Sequence, residues 1–233
     1  MILDMDALVA VGLVALVFYA IYKSDSKPLS TSPQTLPNRH GHRCYISGLN
    51  DGERVVVGYL AKGLDSKNYF IFNNIVLPNP YNGSTQIDHI VVSRFGIFVI
   101  ESKNMKGWIY GHEKEKKWTQ TFRGNHKYPF QNPILQNEVH VRALRDLMPL
   151  IGDHIQNIVV FSTRSTIKKA MPPNVMHTDK LVDYIKSFTE PVLSENYLFM
   201  AIGKLSYMCQ TVDITADQHI ANVQAQLQIQ KAA

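Results

Sequence analysis

The sequence predicts an α/β fold in which a central mixed sheet is flanked by helices. Residues 85 to 104 form two β-rich runs that are apolar on both faces (Ile87, Val91, Ile90, Val92; Ile97, Val99, Phe98, Ile100), the mark of strands covered on two sides. A helix-spaced stretch from Pro133 to Met148 is followed by a second apolar run, Ile155 to Phe161, as in a helix-to-strand crossover. In 233 residues, one domain of about 150 to 200 residues plus appendages is the natural division.

The chain begins with an appendage. Ala7 to Tyr22 carries no charge and as a helix would span about 24 Å. Asp4 and Asp6 precede it and Lys23, Lys27, Arg39 and Arg43 follow, which disfavours a cleaved signal peptide. The positive-inside rule then places the remainder in the cytoplasm, behind an uncleaved anchor over residues 1–23 in the inner or plasma membrane. Residues 24–47, with three prolines and no apolar period, read as a linker.

Asn50-Asp51-Gly52-Glu53 supplies a cap and early acids for a helix whose apolar face is Val55, Val56, Tyr59 and Leu60 and which Gly63 ends. Tyr69 to Leu77 is a strand, and Pro78 to Gly83 is a turn-rich loop. Arg94-Phe95-Gly96 joins the two central runs, and residues 107–111 and 117–121 bracket a charged turn. Phe122 to Gln131 reads as a loop mixing cations with aromatics, in which Arg123 and Lys127 are candidates to meet nucleic acid. Arg164, just past the strand at 155–161, is a third. A short edge strand at 175–177 and helices near 178–188, 194–210 and 215–228 complete a tail, residues 163–233, expected as a helical extension packing on the core.

Composition narrows the chemistry. Lysine and arginine exceed aspartate and glutamate by 24 to 19, a formal charge of +5, which favours polyanions or an anionic leaflet. Cys44 and Cys209 lie far apart and suggest neither a zinc site nor a disulfide framework, so a reducing compartment is the simpler reading. A phosphate-binding glycine loop and a Gly-x-Ser-x-Gly elbow are both absent from the sequence, leaving ATP-driven steps and serine hydrolysis without support.

The chemistry-bearing residues stand on the central hairpin. Alternation places Glu101 and Lys103 on one face, with Ser102 opposite. If Arg94-Phe95 is a two-residue turn, opposed residues sum to 189 and Asp88 lies across from Glu101; a bulge at Gly96 would turn Asp88 away unless a second irregularity restored it. Carboxylates about 4 to 5 Å apart repel by roughly 3 to 4 kcal/mol at an effective dielectric near 20. They require a proton, a cation or a basic neighbour.

Asp88 followed by a hydrophobic strand ending Glu101-Ser102-Lys103 resembles the core of the PD-(D/E)xK nuclease superfamily. The closer resemblance is to its NERD, or nuclease-related, domain, carried by Gly52-Glu53, Gln86-Ile87-Asp88-His89-Ile90-Val91-Val92, Gly96 through Asn104, Gly107, Trp118 and Asn132-Pro133-Ile134-Leu135-Gln136, and spanning roughly Gly48 to Leu150. Ser102 stands where the family more often has Thr; its side chain is expected to point away from the site. The resemblance implies a restriction-endonuclease-like sheet over 48–162 and a nuclease using Mg²⁺ or Mn²⁺. Asp88 and Glu101 would be direct ligands, together with the Ser102 carbonyl, and Glu53 would complete the metal site. Lys103 would position or deprotonate the attacking water, and Gln136 would assist. His140, one turn beyond Gln136, is not expected as a ligand. DNA is expected ahead of RNA as substrate. The rival reading is a catalytically inactive, membrane-tethered module that binds nucleic acid or another partner with the same fold.

Overall fold

In the computed structural model the described residues are 49–79, 83–123 and 126–210. The apolar run at Ala7–Tyr22, the linker and the last expected helix lie outside them. Among the described residues no helix is long and apolar enough to cross a membrane.

Helix α1, Asp51–Gly63, starts where the sequence places its cap. Asn50 Oδ1 accepts from the N–H groups of Gly52 and Glu53, and Glu53 Oε2 accepts from Asn50 N at 3.1 Å. This reciprocal box satisfies donors that a helix start otherwise leaves open. Three antiparallel strands follow, β1 (Tyr69–Asn79), β2 (Gly83–Ser93) and β3 (Gly96–Lys103). Gly96, at φ 139, pairs with Ser93 and closes the tight turn at Arg94-Phe95.

Three short strands come next: β4 (Gly107–Tyr110), β5 (Lys117–Thr121) and β6 (Lys127–Gln131). The segment expected as a loop over 122–131 therefore ends in a strand, because residues 127–131 find a free edge on β5. Helix α2, Pro133–Leu147, then crosses back to β7, Ile155–Phe161, which lies parallel to β3. The tail is not helical alone. Its described part contributes β8 (Ser165–Ile167) and β9 (Val175–His177), then helices α3 (Leu181–Lys186) and α4 (Glu195–Gln210).

The strands form two sheets. One has the order β1-β2-β3-β7-β9 and is mixed; the other has the order β6-β5-β4-β8. On one face of the larger sheet, Ile90, Val92, Ile97 and Val99 pack with Val141 and Leu144 of α2 and Leu198 and Leu205 of α4. Opposite, Val91, Phe98 and Ile100 pack with Val56 and Leu60 of α1 and Leu181 and Ile185 of α3. The smaller sheet buries Ile109 and Trp118 against Val159 and Phe161, with the Trp118 and Phe161 rings stacked at 6.0 Å. Cys209, near the end of α4, is disulfide-bonded, where the sequence reading expected reduced thiols.

Candidate functional site

The register expected for the hairpin is the register found. His89 pairs with Ile100, Ile90 with Val99 and Ser93 with Gly96, each pair summing to 189. The face is not. Strict alternation would separate Ile87 from Ile90 and Phe72 from Ile75, yet all four lie in one buried cluster. Both strands therefore slip by one residue near Asp88, where Asn74 on β1 adopts φ 52 and drops out of the ladder between Asn73–His89 and Ile75–Ile87. Pairing with β3 stops at His89–Ile100, so Asp88 has no strand partner on either side.

The freed carboxylate turns to β3. Asp88 Oδ2 accepts from both the backbone N–H and the Oγ–H of Ser102, each at 2.9 Å. Ser102 thus points at Asp88 rather than away from the site, correcting the expectation from simple alternation. Burial first, and then the charge of Glu101, push the Asp88 carboxyl up to about 6 against these two bonds, with Glu53 adding to the rise.

On the α2 side of β3, Glu101 is almost fully covered, at 3 % exposure, while Lys103 keeps 21 %. Lys103 Nζ lies 2.6 Å from Glu101 Oε1 and 3.0 Å from Gln136 Oε1. The other carboxylate oxygen, Oε2, has His140 Nε2 at 3.3 Å; both atoms are buried, and neither has a well-formed hydrogen bond. Thr85 Oγ and His140 Nδ1 are 2.7 Å apart and fix the ring. Burial alone would raise the Glu101 carboxyl; His140 and Lys103 outweigh it and hold the group below its ordinary range.

Two devices set this geometry. Asn137 of α2 donates through Nδ2 to Val99 O at 2.9 Å and Ile158 O at 3.0 Å, clamping the helix to β3 and β7 and so aiming its neighbour Gln136 and, one turn on, His140. At the N-terminus of α1, Gly52 lies so close to Asn104, the residue after β3, that an added Cβ would meet Asn104 Cβ at 2.4 Å. This approach carries Glu53 toward the carboxylates. Burial raises the Glu53 carboxyl, the Asn50 bond opposes the rise, and Glu101 adds to it, so the acid feels its neighbours.

The donor chemistry suits a hard divalent cation: carboxylate oxygens from Asp88 and Glu101, one of them buried without a hydrogen bond. The gathering is incomplete. Among the described residues no three His, Cys, Asp or Glu side chains converge closely enough to hold a metal ion, since Asp88 is turned onto Ser102 and Glu53 onto Asn50.

A cleft of about 320 Å³ opens beside Lys103, lined also by Ser102, Asn104, Arg164, Gly52 and Tyr59. Arg164 bonds Asn104 through its guanidinium and lines the cleft. Arg123 and Lys127 are exposed, but on the smaller sheet and outside the cleft lining. The bond of the Ser102 side chain to Asp88 and the roles of Asn137 and Thr85 were not expected from the sequence, and His140 was set aside. The helical spacing of Gln136 and His140 was the one signal for the last of these.

Residues 49–162 match the model of the nuclease-related domain family, NERD. An uncharacterized protein from Bacillus anthracis is 36% identical over 154 residues, which cover 62% of this chain and 69% of that protein. No solved structure matches the chain. By the domain match over residues 49–162 and the similarity to this relative, the chain belongs to the nuclease-related domain (NERD) family.

Proposed function

We propose that this protein is a metal-dependent nuclease that hydrolyses phosphodiester bonds of nucleic acid, DNA ahead of RNA, and that Ala7–Tyr22 tethers it to a membrane. The observation that carries the reading is Lys103 Nζ, held between Glu101 and Gln136 on a residue that also lines the cleft, whose other lining comes from the α1 side of β3. Its ammonium can reach a scissile phosphate and place a water beside it, while Glu101 and Gln136 fix its position. Asp88 and Glu101, with the Ser102 carbonyl, would hold Mg²⁺ or Mn²⁺, and Glu53 would join from α1. Such an ion supplies charge neutralisation and a more acidic bound water. Arg164, at the mouth of the cleft, would contact a flanking phosphate.

One observation favours the inactive binding module: Glu53 is occupied in its capping box and no three-ligand cluster is present among the described residues. Incubating the full chain with labelled DNA and RNA in Mg²⁺, Mn²⁺ or EDTA separates the readings. Metal-dependent cleavage that disappears in Glu101→Ala supports the nuclease; binding without cleavage supports the module. For orientation, the charge asymmetry about the apolar run favours a cytoplasmic domain, whereas a disulfide at Cys209 suits an oxidising compartment. Protease protection in sealed vesicles decides between them.

A further inference from the structure

The positive charge of this chain is concentrated on the smaller sheet. Residues 104–131 and 162–171 hold nine lysines and arginines against Glu113 and Glu115, a net +7, so the rest of the chain, with 15 basic and 17 acidic residues, is at −2. All nine cations are exposed, and among the described residues none forms an ion pair. A surface built for stability alone would intersperse the two signs.

The aromatic content of that surface is equally uneven. Ile109 and Trp118 fill the inner side of the sheet. Trp108 points outward and is 39% exposed, whereas Tyr128, paired through Gln120 with Ile109, lies on the other face of the edge strand. Trp108, Thr121 and Lys127 form one row across β4, β5 and β6, and Thr166 continues it on β8. Two strand spacings put Lys127 about 10 Å from Trp108. Lys168 Nζ sits 4.8 Å over the Trp108 ring, on a flexible stem that can move aside for a planar group.

The sheet is also joined to the site. The Lys103 carbonyl accepts from Met105 N at 2.8 Å and Ser162 N at 3.0 Å, so the segments leading to β4 and β8 both leave from the reactive lysine. Arg164, immediately before β8, lines the cleft.

We infer that the outer face of β6-β5-β4-β8 is a single-strand nucleic-acid platform, with a base stacked on Trp108 and the backbone held by Lys168 and Lys127, that feeds one strand past Arg164 into the cleft. The inference rests on the nuclease reading for the identity of the polymer, but not on cleavage. An exposed indole among unpaired cations is what stacking with phosphate contact requires. An exposed indole and cations could also meet an anionic membrane; the continuity of the face with Lys103 and Arg164 favours the polynucleotide.

The test uses the full chain in a neutral detergent with EDTA, so that binding is read without hydrolysis. Fluorescein-labelled oligo(dT) and oligo(U) of about 15 nucleotides, and a hairpin duplex, are titrated by anisotropy. Trp108→Ala should weaken single-strand binding about 5- to 150-fold, as for loss of one stacked base, and duplex binding much less. Trp108→Phe should retain most affinity. Since Trp118 is fully buried, quenching of intrinsic fluorescence by unlabelled oligo(dT) should vanish in Trp108→Phe, a readout that does not depend on Trp108→Ala folding. Lys127→Ala and Lys168→Ala should each reduce the salt slope by about 0.7. Unchanged single-strand affinity in Trp108→Ala, or quenching by phosphatidylserine vesicles and not by oligonucleotide, would overturn the inference. Loss of the nuclease reading would appear separately, as intact oligonucleotide in Mg²⁺ with this binding preserved.

Discussion

Asp88 and Ser102 are bound twice, the carboxylate Oδ2 taking both the backbone N–H and the hydroxyl of Ser102 at 2.9 Å. The pair stands in for a stretch of strand ladder: β2 has lost its pairing at Asp88, and a side chain completes what the backbone leaves open. A carboxylate raised to about 6 by burial and Glu101 is held there at a cost that binding a cation would relieve.

Asp88→Asn is therefore expected to leave the protein as stable or more stable in EDTA. The sign follows from the shift. A carboxyl raised from 3.8 to about 6 in the fold binds its proton more tightly folded than unfolded, so wild-type stability falls as pH rises from about 4 to about 6. Asparagine abolishes that fall. The advantage of the variant should be absent at pH 3.5 and reach about 1 to 3 kcal/mol above pH 6.5. Urea melts of both proteins across this range check it, and a less stable variant at pH 7 would make Asp88 a structural partner instead.

Lys103→Ala should lower cleavage at least about 100-fold while changing oligonucleotide affinity less than about 3-fold. It also strips a buried Glu101 oxygen of its partner, so a stability loss of about 1 to 3 kcal/mol is expected. Gln136→Ala, which removes only the second contact, should reduce the rate by about 10-fold. Rate and affinity falling together in Lys103→Ala would contradict its role.

Asn137→Ala tests the clamp between α2 and the sheet. Two buried carbonyls lose their donor, at about 2 to 4 kcal/mol. Turnover should fall with it even where thermal melts show the protein folded. Asn137→Asp, which keeps the shape but cannot donate when ionised, should fare no better.

Gly52→Ala tests the seat of α1. A methyl group at 2.4 Å from Asn104 Cβ forces the helix N-terminus away from β3, at about 1 to 3 kcal/mol. Shortening Asn104 to Ala in the same chain should recover part of the loss, which a double-mutant cycle measures.

Much of this arrangement was legible in the sequence. Runs apolar on both faces identified β2 and β3, Asn50 with Glu53 announced α1, and the two-residue turn fixed the register at 189. The second sheet was not legible as a separate layer, because β6 is short and exposed, β8 is only three residues long, and both depend on neighbours that no local pattern reveals. Nor was the slip at Asp88. Alternation holds only while φ stays negative, and nothing local forces Asn74 to φ 52. Ser102 was assigned to the wrong surroundings for that reason. His140 and Asn137 lie on a helix face that could be counted, but their partners on β2, β3 and β7 come from tertiary packing alone.

The most direct measurement is cleavage of labelled DNA and RNA by the full chain in Mg²⁺, Mn²⁺ or EDTA, beside Glu101→Ala. Metal-dependent cleavage by the wild type is expected, abolished in the variant while nucleic-acid binding persists. No cleavage in any metal, or cleavage that survives Glu101→Ala, would contradict it.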